Sequence, residues 1–247
     1  MLTEISAIRR GVPVIDMDTL IAPFPLLQEI GILTFITPDN VVMAESVVQA
    51  LVDRMGGSGK IAQTWGRQGY KVRDRAHKLY NVISRYPDIE VVDDQPGDWN
   101  VGMTTNIWET LLNRHPDLRA GFLHNDDMAL AARDVVEQYG MQDQVILGGV
   151  DAMVPAIQAV SDGRLVATAR NSSPRVHGWA VLAGYYAAVM GLERARQDIP
   201  SMIVTDGPLI TLDVDSDPEL ANEPWKIRGY GRNNLSSYIW AQEQLVF

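Results

Sequence analysis

The chain has 247 residues, of which 46% are hydrophobic and 21% are charged, and its formal net charge is −10. This acidic balance, without any basic run, disfavours binding to nucleic acid phosphates and to anionic membrane surfaces. The absence of cysteine excludes disulfides, thiol catalysis and cysteine metal sites, and no apolar run of about 18 residues is present that would insert into a membrane.

Short apolar runs alternate with longer amphipathic stretches along most of the chain. The apolar runs predict buried strands at Val12–Met17, Ile32–Ile36, Lys60–Thr64, Ile89–Val92, Ala120–Leu123, Val145–Val150 and Leu165–Ala169. The amphipathic stretches predict helices at Leu2–Arg10, Val41–Met55, Val72–Arg85, Val101–Asn113, Met128–Tyr139, Met153–Val160 and Pro174–Arg196. This alternation predicts an α/β protein with parallel sheets and helices on both faces.

The C-terminal part of the chain has a different pattern. Ile203–Val204 and Leu209–Asp213 are two further candidate strands. Ser216–Asn234 is rich in Asp, Pro, Asn and Gly, which predicts an irregular surface segment, and a short last helix is expected around Tyr238–Gln244.

Motifs of the common catalytic and metal sites are incomplete in this sequence. Gly57–Lys60 resembles a phosphate loop, but Arg54 stands where that loop needs glycine and Ile61 where it needs Ser or Thr. His77, His115, His124 and His177 are widely separated, so we interpret each as a surface or helix-end residue rather than a metal ligand or base. The sequence therefore predicts no catalytic residue, no metal site and no cofactor.

Polar side chains are concentrated where the predicted strands end, and ligands of open parallel sheets bind there. They are Asp16, Asp18, Asp39, Asn40, Arg73, Arg75, Trp99, His124–Asp127, Asp151, Arg170 and Asn171. A single Asp or Asn at such a junction commonly caps the next helix, which is our interpretation of Asp39 and Asp126. Together, Asp, Asn and Arg can bind vicinal hydroxyls while an aromatic ring covers a C–H face, so the set predicts a small polyhydroxylated ligand.

From Gly59 to about Gly184 the sequence resembles the periplasmic sugar-binding proteins of ABC importers, in the ribose-binding branch of the type I family. The segments that carry this resemblance are Gln95–Trp99, Leu111–Ala129 and Gly149–Ala169, and Val12–Asp18 and Pro38–Asn40 also fit. The resemblance implies two lobes of parallel sheet with helices on both faces, which close on a sugar by a hinge motion.

Position by position, the resemblance implies a set of sugar contacts. They are Asp18, Asn40, Arg75, Trp99, Asn125, Asp151 and Asn171. Trp99 matches the stacking aromatic residue, and Asn171 stands where family members commonly have glutamine. Thr19 replaces an arginine that often follows the aspartate, so a pentose, a hexose and a sugar alcohol all fit the remaining residues.

The resemblance also implies how the chain is organised. Residues 1–38 and 172–197 correspond to part of a first lobe, residues 39–171 and 198–214 to a second lobe, and residues 215–247 to a C-terminal extension. The units that build most of the first lobe in other members, and their signal peptide, have no counterpart here. We therefore expect an incomplete first lobe whose uncovered apolar surface favours self-association.

Three functions follow from these observations as hypotheses. The first is the periplasmic solute receptor of an ABC-type sugar or sugar-alcohol uptake system, which docks on a membrane permease and catalyses no reaction. The second is the effector-binding domain of a sugar-responsive transcription regulator, although the sequence shows no helix-turn-helix and the net charge is −10. The third is an enzyme acting on a sugar, for which Asp16–Asp18 and Asp126–Asp127 are the only candidate carboxylate pairs.

Overall fold

The computed structural model describes residues 2–67, 70–171, 173–205, 207–212 and 229–230. Within these residues the chain divides into two compact units. Unit 1 comprises residues 2–39 and 173–205, and unit 2 comprises residues 40–171, 207–212 and 229–230. Each unit is therefore assembled from segments that lie far apart in the sequence.

Helices and strands alternate along the described residues. In chain order they are α1 (Leu2–Arg9), β1 (Ile15–Met17), α2 (Phe24–Ile30), β2 (Thr34–Pro38), α3 (Asn40–Met55), β3 (Ser58–Trp65), α4 (Tyr70–Ile83), β4 (Asp88–Pro96), α5 (Val101–Arg114), β5 (Leu118–Leu123), α6 (Asp126–Gln138), β6 (Ile146–Gly148), α7 (Val154–Ser161), β7 (Ala167–Ala169), α8 (Ser173–Met190), α9 (Leu192–Asp198), β8 (Met202–Thr205), β9 (Leu209–Thr211) and β10 (Gly229–Tyr230).

Unit 1 contains a parallel sheet in the order β1–β2–β8. One apolar cluster places Leu27 of α2 against Phe35 of β2. A second cluster joins Leu33 to Ala187 of α8 and Ala195 of α9. The short strands of this unit are thus stabilised mainly by burial of apolar helix side chains.

Unit 2 contains a sheet in the order β10–β9–β7–β6–β5–β3–β4. Every pair in it is parallel except β7 with β9, which is antiparallel. The chain leaves β3 for β4 on one side and then returns to the other side of β3 as β5. This reversal of strand order is a topological switch point, where open parallel sheets bind ligands beyond their strand ends.

Helices cover both faces of the unit 2 sheet. Neighbouring residues of β5 illustrate this, because side chains alternate between the faces of a strand. Phe122 belongs to a buried cluster with side chains of α3 and α4, whereas Leu123 belongs to a cluster with side chains of α5, α6 and α7. The α/β class with parallel sheets, predicted from the apolar runs, is therefore confirmed.

Several boundaries differ from those expected from the sequence. The helix expected over Pro174–Arg196 is two helices, because Gly191 has a φ of 88° and interrupts the helical backbone. The segment Ala22–Gly31, which the sequence pattern left without an element, contains α2. Helix α2 ends at the cap residue Gly31, whose N–H donates to the carbonyls of Leu27 and Gln28.

The C-terminal segments also differ. Residues 198–205, assigned to the second lobe from the sequence, belong to unit 1, because β8 pairs with β2. Within Ser216–Asn234, expected to be irregular, Gly229–Tyr230 pairs with β9. The helix expected at Tyr238–Gln244 lies outside the described residues. In the part of the chain that the structure describes, no helix combines the length and apolar character needed to cross a membrane.

Candidate functional site

Polar residues of unit 2 gather at the carboxyl ends of β3, β4, β5 and β6, next to the switch point. Some lie near the ends of β3 and β4 and others in the turns that follow β4, β5, β6 and β7. The residues brought together by hydrogen bonds and ring contacts are Asn40, Gln63, Arg75, Asp94, Trp99, His124, Asp151 and Asn171. Asn40 and Arg75 come from α3 and α4.

Arg75 is the centre of this group, and its guanidinium is completely buried. Its Nε donates to Oδ1 of Asn40 at 3.0 Å, and its Nη1 donates to the carbonyl of His124. Its Nη2 lies 3.2 Å from Oδ1 of Asp151 and forms an ion pair with it. A buried arginine with three acceptors is held rigidly, since its planar fork loses little freedom for each bond it makes.

Asp151 is the exposed partner of this ion pair. Its side chain is 26% exposed, so the carboxylate reaches the surface of unit 2 while it neutralises the buried guanidinium. The amide Nδ2 of Asn171 also donates to its Oδ1, at 3.4 Å. Oδ1 of Asn171 is buried and has no hydrogen-bond partner among the described residues. These two side chains thus present a carboxylate and an amide side by side.

Trp99 supplies the aromatic surface at the same edge. It lies in the turn after β4, where Asp98 and Trp99 have φ values of 53° and 59°, a conformation that non-glycine residues seldom adopt. Its half-buried indole packs against the cluster of α5 and α6, and its centroid lies 6.5 Å from that of His124. The turn therefore holds a large flat ring next to the polar group.

His124 corrects one expectation from the sequence, because it is buried at a strand end and is not a surface or helix-end residue. Its Nε2 lies 3.2 Å from Oε1 of Gln63, whose Nε2 donates to Oδ1 of Asp94 at 3.1 Å. Because Oε1 can only accept, Nε2 of His124 is the donor. Burial, together with the charge of Arg75, holds the pKa of His124 well below its usual value, so the ring is neutral.

Gln63 and Asp94 were not among the site residues expected from the sequence. The available signal was a polar glutamine inside the apolar run Lys60–Thr64, because a buried amide in a strand requires hydrogen-bonding partners. His124 and Asp94 provide them. His124 directly follows β5 and Asp94 lies in β4, so a local sequence pattern cannot identify these partners.

The N-terminal cap of α6 is Asn125, and Asp126 has a different role. Asp126 was expected to cap the next helix, but Asn125 is the cap, since its Oδ1 accepts from the Met128 N–H at 3.0 Å. Asp126 is instead buried, and its two carboxylate oxygens accept from the Met153 N–H and the Thr168 hydroxyl. The reason is that α6 begins at Asp126, two residues before the start at Met128 that the apolar pattern predicts.

Asp16 and Asp18 lie in unit 1, at the end of β1. Asp16 is buried, and its two oxygens accept from the N–H groups of Met17 and Ile21, which closes the turn. Asp18 has a φ of 63°, and its Oδ2 accepts from the hydroxyl of Thr19 at 3.0 Å. The role of Asp18 as a sugar contact stays a prediction.

Neither candidate carboxylate pair has the arrangement that general acid–base catalysis needs. In the first pair, Asp16 is occupied by two backbone donors of its own turn. In the second pair, Asp126 is buried and accepts from the Met153 N–H and the Thr168 hydroxyl, whereas Asp127 is exposed. Among the residues that the structure describes, no cluster of three or more His, Asp or Glu side chains could hold a metal ion.

Comparison with known proteins identifies relatives of this chain. A family model described as a periplasmic binding protein domain matches residues 5–193. The ribose import binding protein of Bacillus subtilis (strain 168) is 30% identical over 159 residues, which cover 64% of this chain and 49% of that protein. The D-allose-binding periplasmic protein of Escherichia coli K12 is 26% identical over 65% of this chain and 52% of that protein. The chain thus spans about half the length of these curated relatives.

Solved structures show the same fold. A periplasmic solute binding protein of an ABC transporter from Actinobacillus succinogenes 130z, with bound D-allose, superposes with a TM-score of 0.77 at 22% identity, covering 86% of this chain and 74% of that one. Because the family model also matches well over half of the residues, the chain belongs to the periplasmic binding protein domain family.

Proposed function

We propose that this protein is the solute-binding component of an ABC-type sugar or sugar-alcohol uptake system, and that it binds a small polyhydroxylated ligand without catalysing a reaction. The family assignment and the ribose- and allose-binding relatives support this proposal. The chain spans about half of those relatives, so the proposal depends as well on the residues of the chain itself.

The observation that carries the proposal is the Arg75–Asp151 ion pair with Asn171 beside it and Trp99 at the same edge of the sheet. Adjacent hydroxyls of a sugar each offer one donor and one acceptor. A carboxylate accepts from them with charge-assisted bonds that are about twice as strong as neutral ones, and an amide donates to them, while the buried guanidinium of Arg75 holds the carboxylate in place. An indole face covers the C–H groups on the other side of a sugar ring.

The individual residues would then have distinct roles. Asp151 and Asn171 bind hydroxyls, and Trp99 stacks on the ring. Oδ1 of Asn40 accepts a hydrogen bond from the guanidinium of Arg75, so Asn40 orients this side chain and also contacts the ligand. Asn125 uses its Oδ1 for the helix cap, which leaves its amide Nδ2 to donate to a hydroxyl.

The alternative function, the effector-binding domain of a transcription regulator, is supported less well. The relatives reported above carry the names of import and periplasmic binding proteins, and the net charge of −10 opposes DNA contact. Bound sugar without DNA binding supports the receptor, whereas sugar-dependent DNA binding would support the regulator.

Partners and location follow from the same proposal. A solute receptor of this kind docks on the permease of its importer, and we propose the periplasm as its location because a curated relative is named as a periplasmic protein. The expected self-association stays a prediction.

The proposal is tested by titration calorimetry and thermal shift with a panel of D-ribose, D-allose, L-arabinose, xylitol and myo-inositol. We expect a few related compounds to bind and to raise the melting temperature, since a ligand that binds only the folded state stabilises it. Asp151→Asn should abolish the shift, whereas Asp127→Asn, an exposed carboxylate of α6, should retain it. If no compound of the panel changes the melting temperature, the proposed function is wrong.

A further inference from the structure

The turn after β6 has an unfavourable backbone conformation at the position of the proposed sugar contact. Asp151 has a φ of 111°, and the following Ala152 has a φ of 53°. Non-glycine residues in this region are strained, and such strain persists only where the surrounding structure holds it in place. The side chains that hold this turn therefore decide where the Asp151 carboxylate lies.

Two buried side chains provide this restraint. The hydroxyl oxygen of Thr168, on β7, accepts from the Ala152 N–H at 3.1 Å. The same hydroxyl donates to Oδ1 of Asp126 at 2.7 Å, and Oδ2 of Asp126 accepts from the Met153 N–H at 2.8 Å. The two N–H groups that follow Asp151 are thus bound by one continuous chain of hydrogen bonds.

The packing around this chain leaves little freedom. Thr168 and Asp126 are both completely buried. A Cβ atom built on Gly149 would lie 2.3 Å from Oδ1 of Asp126, so the carboxylate lies directly against the backbone that leads into the turn. The Asp151 N–H itself donates to the carbonyl of Ala169 at 2.8 Å.

We propose that Thr168 and Asp126 are positioning residues that set the sugar affinity by fixing the strained Asp151–Ala152 turn. Through this turn they fix the carboxylate that binds Arg75 and Asn171. Neither side chain is accessible to a ligand, so both act through Asp151. This inference rests on the proposed sugar-binding function.

The test compares two substitutions that each remove one buried threonine hydroxyl from the same sheet. Thr168→Val removes the acceptor of Ala152 and the donor to Asp126, while keeping the size of the side chain. Thr211→Val removes a buried hydroxyl of β9 that donates to the carbonyl of Val166 at 2.9 Å. Thr168→Ser keeps the hydroxyl and serves as the rescue variant.

We expect Thr168→Val to weaken sugar binding by about tenfold, because two buried groups lose their partners and the turn relaxes. Thr211→Val and Thr168→Ser should stay within about twofold of the original affinity, although Thr211→Val lowers the melting temperature as well. Equal sugar affinities of Thr168→Val and Thr211→Val would overturn the proposal. Any weakening of binding would then come from a lower stability of the fold and not from the turn at Asp151.

Amide hydrogen exchange separates this inference from the proposed function, since it needs no ligand. We expect the Ala152 and Met153 amides to be protected in the unsubstituted protein and to exchange faster in Thr168→Val but not in Thr211→Val. If no sugar binds but this pattern is observed, the positioning role in the fold stands and the sugar-binding function fails. Unchanged exchange at both amides in Thr168→Val overturns the positioning role.

Discussion

The indole of Trp99 lies directly against the backbone of Gly66. A Cβ atom built on Gly66 would lie 2.0 Å from both Cε2 and Cζ2 of the indole, a distance that real Cβ contacts do not show. Gly66 follows β3 and Trp99 follows the paired strand β4, so this contact joins two adjacent strand ends. Glycine at position 66 is therefore what allows the ring to occupy its place at the edge of the sheet.

The first prediction is that Gly66→Ala displaces the Trp99 ring and weakens sugar binding. We expect a loss of about tenfold in affinity, comparable to the loss of one aromatic contact. Titration calorimetry measures it. Gly184→Ala, in α8, is the matched control, because a Cβ there would lie at an ordinary 3.7 Å from Cδ1 of Ile15, and its affinity should not change.

A double-mutant cycle shows whether Gly66 acts through the ring. In a Trp99→Ala background there is no indole to displace, so adding Gly66→Ala should change the affinity little further. Additive losses in the two backgrounds would show that the glycine acts by another route, and the explanation through Trp99 would then be wrong.

The second prediction concerns Arg75. Arg75→Met removes the charge and the hydrogen bonds that Arg75 donates to Oδ1 of Asn40 and to the carbonyl of His124. The loss of a hydrogen bond from a charged donor to a buried acceptor costs about 1–3 kcal/mol, so we expect the free energy of unfolding to decrease by about 3 kcal/mol, together with loss of sugar binding. Urea denaturation measures the first effect and calorimetry the second.

Arg75→Lys separates charge from geometry in the same experiment. Lysine keeps the positive charge, but its single ammonium cannot bind Asn40, His124 and Asp151 as the planar guanidinium does. Arg164, whose ion pairs with Asp134 and Glu137 are exposed, is the control position, and Arg164→Lys should cost less than about 1 kcal/mol. Unchanged stability and sugar affinity of Arg75→Lys would contradict the role of the planar guanidinium of Arg75.

The third prediction is a pH dependence of stability caused by Asp126. Burial raises the pKa of Asp126 well above its usual value, and the charge of Asp151 acts in the same direction. Hydrogen bonds from Thr168 and the Met153 N–H, and the charge of Arg75, act in the opposite direction. A group whose pKa is higher in the folded state contributes stability at low pH, and this contribution is lost as the pH rises through the folded-state pKa.

Asp126→Asn removes this titration and keeps an oxygen that accepts from the Met153 N–H, while an amide NH₂ replaces the oxygen that accepts from the Thr168 hydroxyl. The melting temperature of Asp126→Asn, relative to the unsubstituted protein, should therefore increase as the pH is raised above the usual carboxyl range. The exposed Asp127→Asn is the matched control, and its gain should be the smaller one. A difference that stays constant with pH for Asp126→Asn would show that this carboxyl does not titrate abnormally.

The fourth prediction concerns self-association of unit 1. Val181, Tyr185 and Val189 follow one another at intervals of four residues on α8 and are 71%, 68% and 60% exposed. An apolar helix face of this kind is commonly covered in a folded protein. We expect the molar mass in light scattering to increase with protein concentration, and Val181→Lys combined with Tyr185→Lys to reduce this increase.

Gln197→Lys, at an exposed polar position of α9, is the control for the added charge and should leave the concentration dependence unchanged. A constant monomeric mass of the unsubstituted protein over the whole concentration range would exclude association through this face.

Local patterns in the sequence were sufficient for the order and type of most elements. Apolar runs predicted strands β3 to β7, and the polar residues at their ends lie together at one edge of the sheet, because parallel strands place their carboxyl ends together. Arg75, Asp151 and Asn171 were predicted to lie near one another because each stands close to a strand end in the sequence, and in the structure they are in contact.

The same patterns could not assign roles that depend on contacts from other strands. Asn125 and Asp126 are adjacent and chemically similar, yet one caps α6 and the other binds Thr168 and the turn at Met153. The difference is that β7 and the turn after β6 lie beside Asp126, and no spacing within the sequence reports their distance.

The sequence by itself determined the alternation of strands and helices, the acidic charge and the set of polar residues, because these depend on neighbours within a few positions. Only the tertiary structure decided that β8 pairs with β2, that Gly66 must be glycine beneath Trp99, and that Arg75 is buried. These features depend on which segments meet when apolar surface is buried, so residues far apart in the chain fix them together.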